Sequence, residues 1–162
     1  MNLNLIVAMT NDRVIGLDNT LPWRIPEEMK NFKELTTGNV VIMGRNTYES
    51  IPEKYRPLPN RDNIVVSSKM SANPSNYNGI VVASTLQDAV DKARTFNKEI
   101  FIMGGAKLYE ASLSWVDKMY ISIVKGDYKG NVYFPEIEMT EWDVTKLKSA
   151  NDFDLWLYKR FD

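Results

Sequence analysis

One segment of the chain sets a carboxylate among large apolar residues at the start of a predicted helix. Residues 21–28 read Leu-Pro-Trp-Arg-Ile-Pro-Glu-Glu, and proline is common as the first residue of a helix. A helix that begins at the second proline puts Glu28 on one stripe with Ile25, Phe32 and Leu35, at spacings of three and four residues. A carboxyl group held on such a stripe can act as a proton donor.

Two opposing effects act on the pKa of Glu28. Burial raises a carboxyl pKa, whereas the positive end of a helix lowers it, so the sequence leaves the direction of the shift open. The alternative interpretation is an exposed glutamate that only complements the helix dipole, and the neighbouring Glu27 fits that role better.

Composition limits which other groups could do chemistry. Of the 162 residues, 44% are hydrophobic and 25% are charged, and 20 basic against 21 acidic residues give a net charge of −1. These values are typical of one globular domain over residues 1–162, and they do not indicate a nucleic-acid or membrane surface. The chain has no Cys and no His, which excludes disulfides, thiol nucleophiles, Cys/His zinc sites and a Ser-His-Asp triad. Acid or base work must come from a carboxylate, Lys or Tyr, and we predict no metal site.

Strands and helices are predicted to alternate along most of the chain. Short β-rich runs predict strands at residues 3–9, 39–43, 63–67, 79–83, 99–103 and 118–124, and helices are predicted at 26–35, 45–50, 86–96 and 106–115. This alternation favours an α/β fold with a mostly parallel sheet and helices on both faces. Two further runs, 141–148 and 153–161, predict a closing antiparallel hairpin.

Two glycine-containing turns each follow a predicted strand and precede a helix. One turn contains Gly104 and Gly105, and the other contains Gly44 followed by Arg45. Glycines let the backbone approach an anion closely, and the first amides of a helix supply donors. A single turn of this kind is usually only structural, but two in one sheet favour a ligand with more than one phosphate.

The nucleotide fingerprint G-x-G-x-x-G is missing, and no acidic residue closes the strand at 63–67. Ser67 and Ser68 stand there instead, and the predicted topology brings Arg45 near them. Because Arg with hydroxyl groups suits an additional phosphate, we favour a 2′-phosphorylated dinucleotide over NAD. Taken alone, Arg45 could equally be a surface helix residue.

In combination these motifs resemble dihydrofolate reductase over nearly the whole chain. The matching runs are Ile6-Val7-Ala8, Asp12-Arg13-Val14-Ile15-Gly16, Leu21-Pro22-Trp23, Phe32, residues 41–51, Arg56-Pro57-Leu58-Pro59, Arg61 and Gly104-Gly105. The resemblance implies a dihydrofolate reductase-like three-layer α/β fold. It has an eight-stranded, mostly parallel sheet with an antiparallel C-terminal edge strand and about four flanking helices. It also implies NADPH as cofactor and reduction of 7,8-dihydrofolate to 5,6,7,8-tetrahydrofolate, by hydride transfer to C6 and protonation at N5.

The resemblance implies catalytic roles for Glu28, Trp23 and Ser122. Glu28 would bind the pterin and support protonation at N5, Trp23 would hold a water near this acid, and Ser122, at a position that is usually Thr, would add a hydroxyl. The implied substrate site comprises Ile6, Val7, Glu28, Phe32, Lys33, Ile51, Leu58, Arg61 and Ser122, with Arg61 on the α-carboxylate of the glutamate tail. The implied cofactor site comprises Ala8, Ile15, Gly16, Asn19, Thr20, Gly44, Arg45, Asn46, Thr47, Ser67, Ser68, Met103, Gly104, Gly105, Ala106, Lys107, Leu108 and Tyr109.

Residues 10–23 correspond to the mobile loop that covers the nicotinamide in this family, and the Gly104–Gly105 peptide is expected to be cis.

The chain departs from the family pattern at three places. Asn60 replaces a common glycine, although Asn also tolerates positive φ. The loop at 52–56 is about three residues longer than in short bacterial members, an insertion that surface loops tolerate. Asn131 stands where some members have an acid that latches the mobile loop.

Two other functions fit part of the sequence. A pyrimidine reductase of riboflavin synthesis, with the same fold, would need neither Glu28 with Trp23 nor Arg61. A non-catalytic nucleotide-binding module would keep the glycine turns and lose the acid.

We expect small-molecule partners, namely dihydrofolate and antifolate inhibitors, with no nucleic acid or membrane. The apolar run at 3–9 is too short to span a bilayer, so we also expect a cytoplasmic protein, and a monomer by default.

Overall fold

The computed structural model describes residues 2–17, 20–69 and 79–161. In chain order the strands are β1 (Leu3–Thr10), β2 (Val14–Gly16), β3 (Val40–Gly44), β4 (Asp62–Val66), β5 (Ile80–Ala83), β6 (Ile100–Ile102), β7 (Lys118–Val124), β8 (Val132–Tyr133), β9 (Trp142–Ser149) and β10 (Phe153–Arg160). The helices are α1 (Pro26–Thr36), α2 (Arg45–Ser50), α3 (Leu86–Arg94) and α4 (Ala106–Ser112), with short 3-10 turns at Glu53–Tyr55 and Met139–Glu141.

Eight strands form one sheet in the order β5-β4-β3-β6-β1-β7-β10-β9. Neighbouring strands from β5 to β7 are parallel, whereas β10 runs antiparallel to both β7 and β9. This confirms the predicted mostly parallel sheet with an antiparallel C-terminal end. β1 lies between β6 and β7 and is almost entirely buried, which explains why its residues from Leu5 to Met9 are all apolar rather than alternating with polar residues.

Helices cover both faces of this sheet, as predicted. On one face α3 and α4 contribute Ala89 and Tyr109 to a core that includes Leu5 of β1. On the other face α1 packs Phe32 onto a core that includes Ile6. Because side chains alternate along a strand, Leu5 and Ile6 lie on opposite faces, and the α1 face is the one that receives Glu28.

The structure adds a small element to the predicted fold. β2 and β8 pair antiparallel in a separate two-stranded sheet. The sequence did not predict these strands, because runs of two or three residues are too short to show a periodicity. The predicted helices at 86–96 and 106–115 are shorter in the structure, where α3 ends at Arg94 and α4 at Ser112. No helix in the described part of the chain is long and apolar enough to cross a membrane.

Candidate active site

Helix α1 brings Glu28 onto the face of the sheet formed by β1 and β7. The helix begins after Ile25, whose carbonyl oxygen accepts hydrogen bonds of 3.1 Å from the backbone N–H groups of Glu28 and Met29. Ile25 is buried and anchors this first turn in an apolar cluster. Glu28 therefore faces the sheet and is partly buried.

The carboxyl group of Glu28 meets the hydroxyl of Ser122, a buried residue of β7 that pairs with Ala8 of β1. Burial raises the pKa of Glu28 above its usual value of 4.5, and the hydrogen bond from Ser122 lowers it by less. The net shift is upward, a direction that the sequence left open. A carboxyl group with this property can exchange a proton closer to neutral pH than an exposed glutamate.

Trp23 lies next to this first turn, in the same apolar cluster as Ile25. Its ring packs edge-on against Tyr128, with centroids 5.6 Å apart. The indole N–H is buried and has no acceptor among the described residues. Since a buried indole N–H normally has a partner, this donor is suited to a water or a ligand atom.

Tyr109 of α4 is fixed beneath the site. Its hydroxyl donates a 2.9 Å hydrogen bond to the carbonyl oxygen of Ile6, and its ring packs on Phe134 at 5.1 Å. Burial, followed by the negative charge of Glu28, raises the pKa of Tyr109, so the phenol remains protonated. Tyr109 thereby ties α4 to the strand that forms the floor of the site.

The structure brings together most residues of the predicted substrate site. Those around the α1 face of the sheet are Ile6, Glu28, Phe32, Ile51, Leu58 and Ser122. Val7 differs, because its side chain lies in the core on the opposite face and only its backbone can reach this site. Lys33 is exposed near the end of α1.

Arg61 lies beside this apolar group, held by two hydrogen bonds that the sequence did not reveal. Its Nε donates to the carbonyl oxygen of Pro59 at 2.9 Å, and its Nη1 donates to Oγ1 of Thr36 at 3.1 Å. Partial burial lowers the pKa of Arg61. The preceding Asn60 has φ +60°, the left-handed conformation that its side chain was expected to tolerate.

The two glycine turns predicted from separate motifs lie against each other, because β3 and β6 are neighbours. The backbone N–H of Gly44 donates to the carbonyl oxygen of Gly104 at 2.8 Å. The Gly104–Gly105 peptide is cis, as the resemblance predicts, and Gly104 has φ +123°. A Cβ atom added to Gly104 would lie 3.4 Å from Oη of Tyr109, and one added to Gly105 would lie 3.4 Å from Oγ1 of Thr47. Glycine therefore keeps this backbone surface open.

Arg45 and Ser67 lie at the same edge of the sheet, beyond the carboxyl ends of the neighbouring strands β3 and β4. Nε of Arg45 donates to Oε1 of Glu49 at 2.8 Å, and its side chain is partly exposed. Ser67 accepts a 3.1 Å hydrogen bond from the backbone N–H of Lys69. The remaining predicted cofactor residues around the two turns are Asn46, Thr47, Ser68, Met103, Ala106, Lys107 and Leu108.

Within the loop predicted at residues 10–23, residues 13–16 pair through their backbone with residues 131–134. The N–H of Asn131 donates to the carbonyl oxygen of Gly16 at 3.0 Å, and the N–H of Phe134 donates to that of Arg13 at 2.8 Å. A Cβ on Gly130 would overlap the carbonyl oxygen of Gly16, so the two segments approach as closely as backbone allows. Ile15, Gly16 and Thr20 lie in this loop, whereas the predicted cofactor residue Asn19 is outside the described residues.

An open groove of about 700 Å³ lies on the opposite face of the sheet. Met9, Val144 and Trp156 line it, together with charged residues. No predicted site residue in the described part of the chain lines this groove, and Glu28 and Ser122 lie on the α1 face.

A family model described as dihydrofolate reductase matches residues 2–156. The chain belongs to the dihydrofolate reductase family. Dihydrofolate reductase of Bacillus subtilis (strain 168) is 36% identical over 165 residues, covering 98% of this chain and 94% of that protein. Dihydrofolate reductase of Buchnera aphidicola subsp. Acyrthosiphon pisum is 40% identical over 151 residues, covering 93% and 89%.

A solved structure of dihydrofolate reductase from Enterococcus faecalis, complexed with NADP(H) and RAB-propyl, superposes with a TM-score of 0.86. It is 28% identical to this chain, and the match covers 99% of this chain and 97% of that one. The family assignment confirms the predicted fold and the predicted enzyme class, because dihydrofolate reductases are NADP-dependent oxidoreductases.

Proposed function

We propose that the chain catalyses the NADPH-dependent reduction of 7,8-dihydrofolate to 5,6,7,8-tetrahydrofolate in one-carbon metabolism. The observation that carries the proposal is the carboxyl group of Glu28, whose pKa is raised by burial and which meets the hydroxyl of Ser122. In a chain without His or Cys, this is the group best suited to proton transfer.

The glycine turns fit the phosphates of a dinucleotide. Gly44, Gly104 and Gly105 leave the backbone of these turns accessible, and a Cβ atom at any of the three would occupy part of that space. Arg45 and Ser67 at the same edge supply the charge and hydroxyl that suit a 2′-phosphate. The E. faecalis relative is complexed with NADP(H), which supports the same cofactor here. When bound, NADPH supplies the hydride, and the protein positions the two rings.

Glu28 would bind the 2-amino group and N3 of the pterin and support protonation at N5. Its raised pKa leaves more of the carboxyl protonated near neutral pH than in an exposed glutamate. The buried N–H of Trp23 would hold a water beside the acid, and Ser122 would stabilise the carboxylate after the proton leaves. Ile6 would form the apolar floor that excludes other water.

The tail of the substrate would extend over Phe32, Ile51 and Leu58, which flank the same core on the α1 face. At the end of this surface Arg61 would take the α-carboxylate of the glutamate through a two-pronged pair. Lys33 would add positive charge at the exposed rim, where solvent screening makes its contribution small.

The test is to follow the loss of NADPH absorbance with dihydrofolate as substrate, with NADH in a parallel reaction. NADPH-dependent turnover with a strong preference over NADH is the expected result. Turnover of a pyrimidine intermediate of riboflavin synthesis instead of dihydrofolate would establish the pyrimidine reductase. Cofactor binding without turnover of either substrate would establish the binding module. The single domain, the monomeric state and the cytoplasmic location stay predictions.

A further inference from the structure

We propose that Thr36 is a positioning residue that orients the guanidinium of Arg61 and so sets the preference for substrates that carry a terminal α-carboxylate. The proposal rests on the proposed function, because it assigns Arg61 to the glutamate tail. It goes beyond that function by naming the group that directs Arg61, a buried threonine in the last turn of α1.

The hydroxyl of Thr36 has a fixed direction. Thr36 is 0% exposed, and its Oγ1 donates a 2.8 Å hydrogen bond to the carbonyl oxygen of Phe32. A hydroxyl has one proton, so the same oxygen can only accept from any further partner. That partner is Nη1 of Arg61, at 3.1 Å. The bond to the helix backbone therefore fixes the position of the Thr36 oxygen that accepts from the guanidinium of Arg61.

A second restraint acts on the backbone that carries Arg61. Asn63 of β4 is buried, and its Nδ2 donates to the carbonyl oxygens of Leu58 at 3.0 Å and of Arg61 at 3.1 Å. Its Oδ1 accepts from the N–H of Leu58 at 2.9 Å. These bonds tie the turn to the sheet without touching the guanidinium. Loss of the Thr36 hydroxyl should therefore change the direction of the Arg61 side chain and leave the turn in place.

The remaining donors of Arg61 suffice for the substrate. Of the five N–H groups of a guanidinium, Pro59 and Thr36 each take one, which leaves enough for a two-pronged pair with a carboxylate. Because the geometry is set before the ligand arrives, less side-chain freedom is lost on binding. A substrate without the glutamate gains nothing from this arrangement.

The test compares dihydrofolate with 7,8-dihydropteroate, which lacks the glutamate, in wild type and in Thr36→Val, Thr36→Ser and Thr37→Val. Thr37 is a matched control, because its exposed hydroxyl donates a 2.6 Å hydrogen bond to the carbonyl oxygen of Lys33. We expect Thr36→Val to raise KM for dihydrofolate about ten-fold, the effect of losing one hydrogen bond to a charged group, with kcat little changed. The preference for dihydrofolate over dihydropteroate should fall by the same factor.

Thr36→Ser, which keeps the hydroxyl, should retain the wild-type preference, and so should Thr37→Val. Thermal unfolding of each variant identifies any loss of folded protein. An equal loss on both substrates in folded Thr36→Val would mean that the role is only structural and would overturn the proposal. An unchanged preference in Thr36→Val would overturn it as well. Wild-type protein that does not turn over dihydrofolate would instead refute the proposed function, a result visible before any variant is made.

Discussion

Ser122 on β7 hydrogen-bonds to the carboxyl group of Glu28 on α1, so the sheet and the helix above it meet at the proposed acid. The bond lowers the pKa of Glu28, against the larger effect of burial. Ser122→Ala should therefore raise this pKa further and move the alkaline limb of the pH profile of kcat/KM to higher pH. Steady-state measurements of kcat/KM between pH 5 and 9 locate this alkaline limb. Ser122→Thr keeps a hydroxyl and should retain the wild-type profile. An unchanged alkaline limb in Ser122→Ala would show that Ser122 does not influence the pKa of Glu28.

The burial that raises the pKa of Glu28 also destabilises the folded protein at a pH where this carboxyl group is ionised. Because the folded protein holds the proton more tightly than the unfolded chain, stability falls as the pH rises from about 4.5 through the folded pKa. Glu28→Gln removes this loss, so at pH 8 the variant should melt above wild type, by about 2–4 °C if the gain is roughly 1 kcal/mol. Thermal unfolding at pH 4 and pH 8 measures the difference.

The control for this prediction is Glu27→Gln. Glu27 is exposed and forms a 3.4 Å ion pair with Lys148, an interaction that contributes little in solvent. Glu27→Gln should leave Tm nearly unchanged at both pH values. A Glu28→Gln variant no more stable than wild type at pH 8 would show that the carboxylate is not destabilising in the folded protein.

Gly130 should be important for cofactor binding although it lies outside the predicted cofactor site. A Cβ at this position would overlap the carbonyl oxygen of Gly16 and Cγ1 of Val14, and would separate the segment at residues 13–16 from the segment at residues 130–134. We expect Gly130→Ala to weaken NADPH binding roughly ten-fold, about 1.4 kcal/mol, through a smaller population of the attached loop. Fluorescence titration with NADPH measures the affinity, and the exposed neighbour Lys129 provides the control, Lys129→Ala. Equal affinities of Gly130→Ala and wild type would contradict the role of the close approach.

Asn63 should stabilise the fold as well as the substrate site. Asn63→Ala removes three hydrogen bonds and leaves the N–H and carbonyl groups of Leu58 without their buried partner. We expect a loss of about 2–3 kcal/mol in the free energy of unfolding. Urea unfolding measures it, with Asn151→Ala in the exposed hairpin turn as control. A loss in Asn63→Ala no larger than in the control would mean that these bonds contribute nothing net.

The sequence predicted the features that arise from local patterns. The buried strands, the stripe that contains Glu28 and the two glycine turns all follow from the types and spacing of neighbouring residues. The hydrogen bond between Arg61 and Thr36 could not be found in this way, because the two residues are 25 positions apart and a buried threonine gives no signal of its contacts. The direction of the Glu28 shift likewise depends on burial that only the packed sheet and helix determine.

In the proposed reaction Glu28 supports protonation at N5 of dihydrofolate while NADPH supplies the hydride. Wild type and Glu28→Gln should be compared for ligand affinity and for turnover at saturating NADPH and dihydrofolate. We expect the variant to bind NADPH normally, while kcat near pH 7 falls about 10²–10⁴-fold, the range of general acid catalysis. A Glu28→Gln variant that retains wild-type turnover at saturation would overturn the role of Glu28 in protonation.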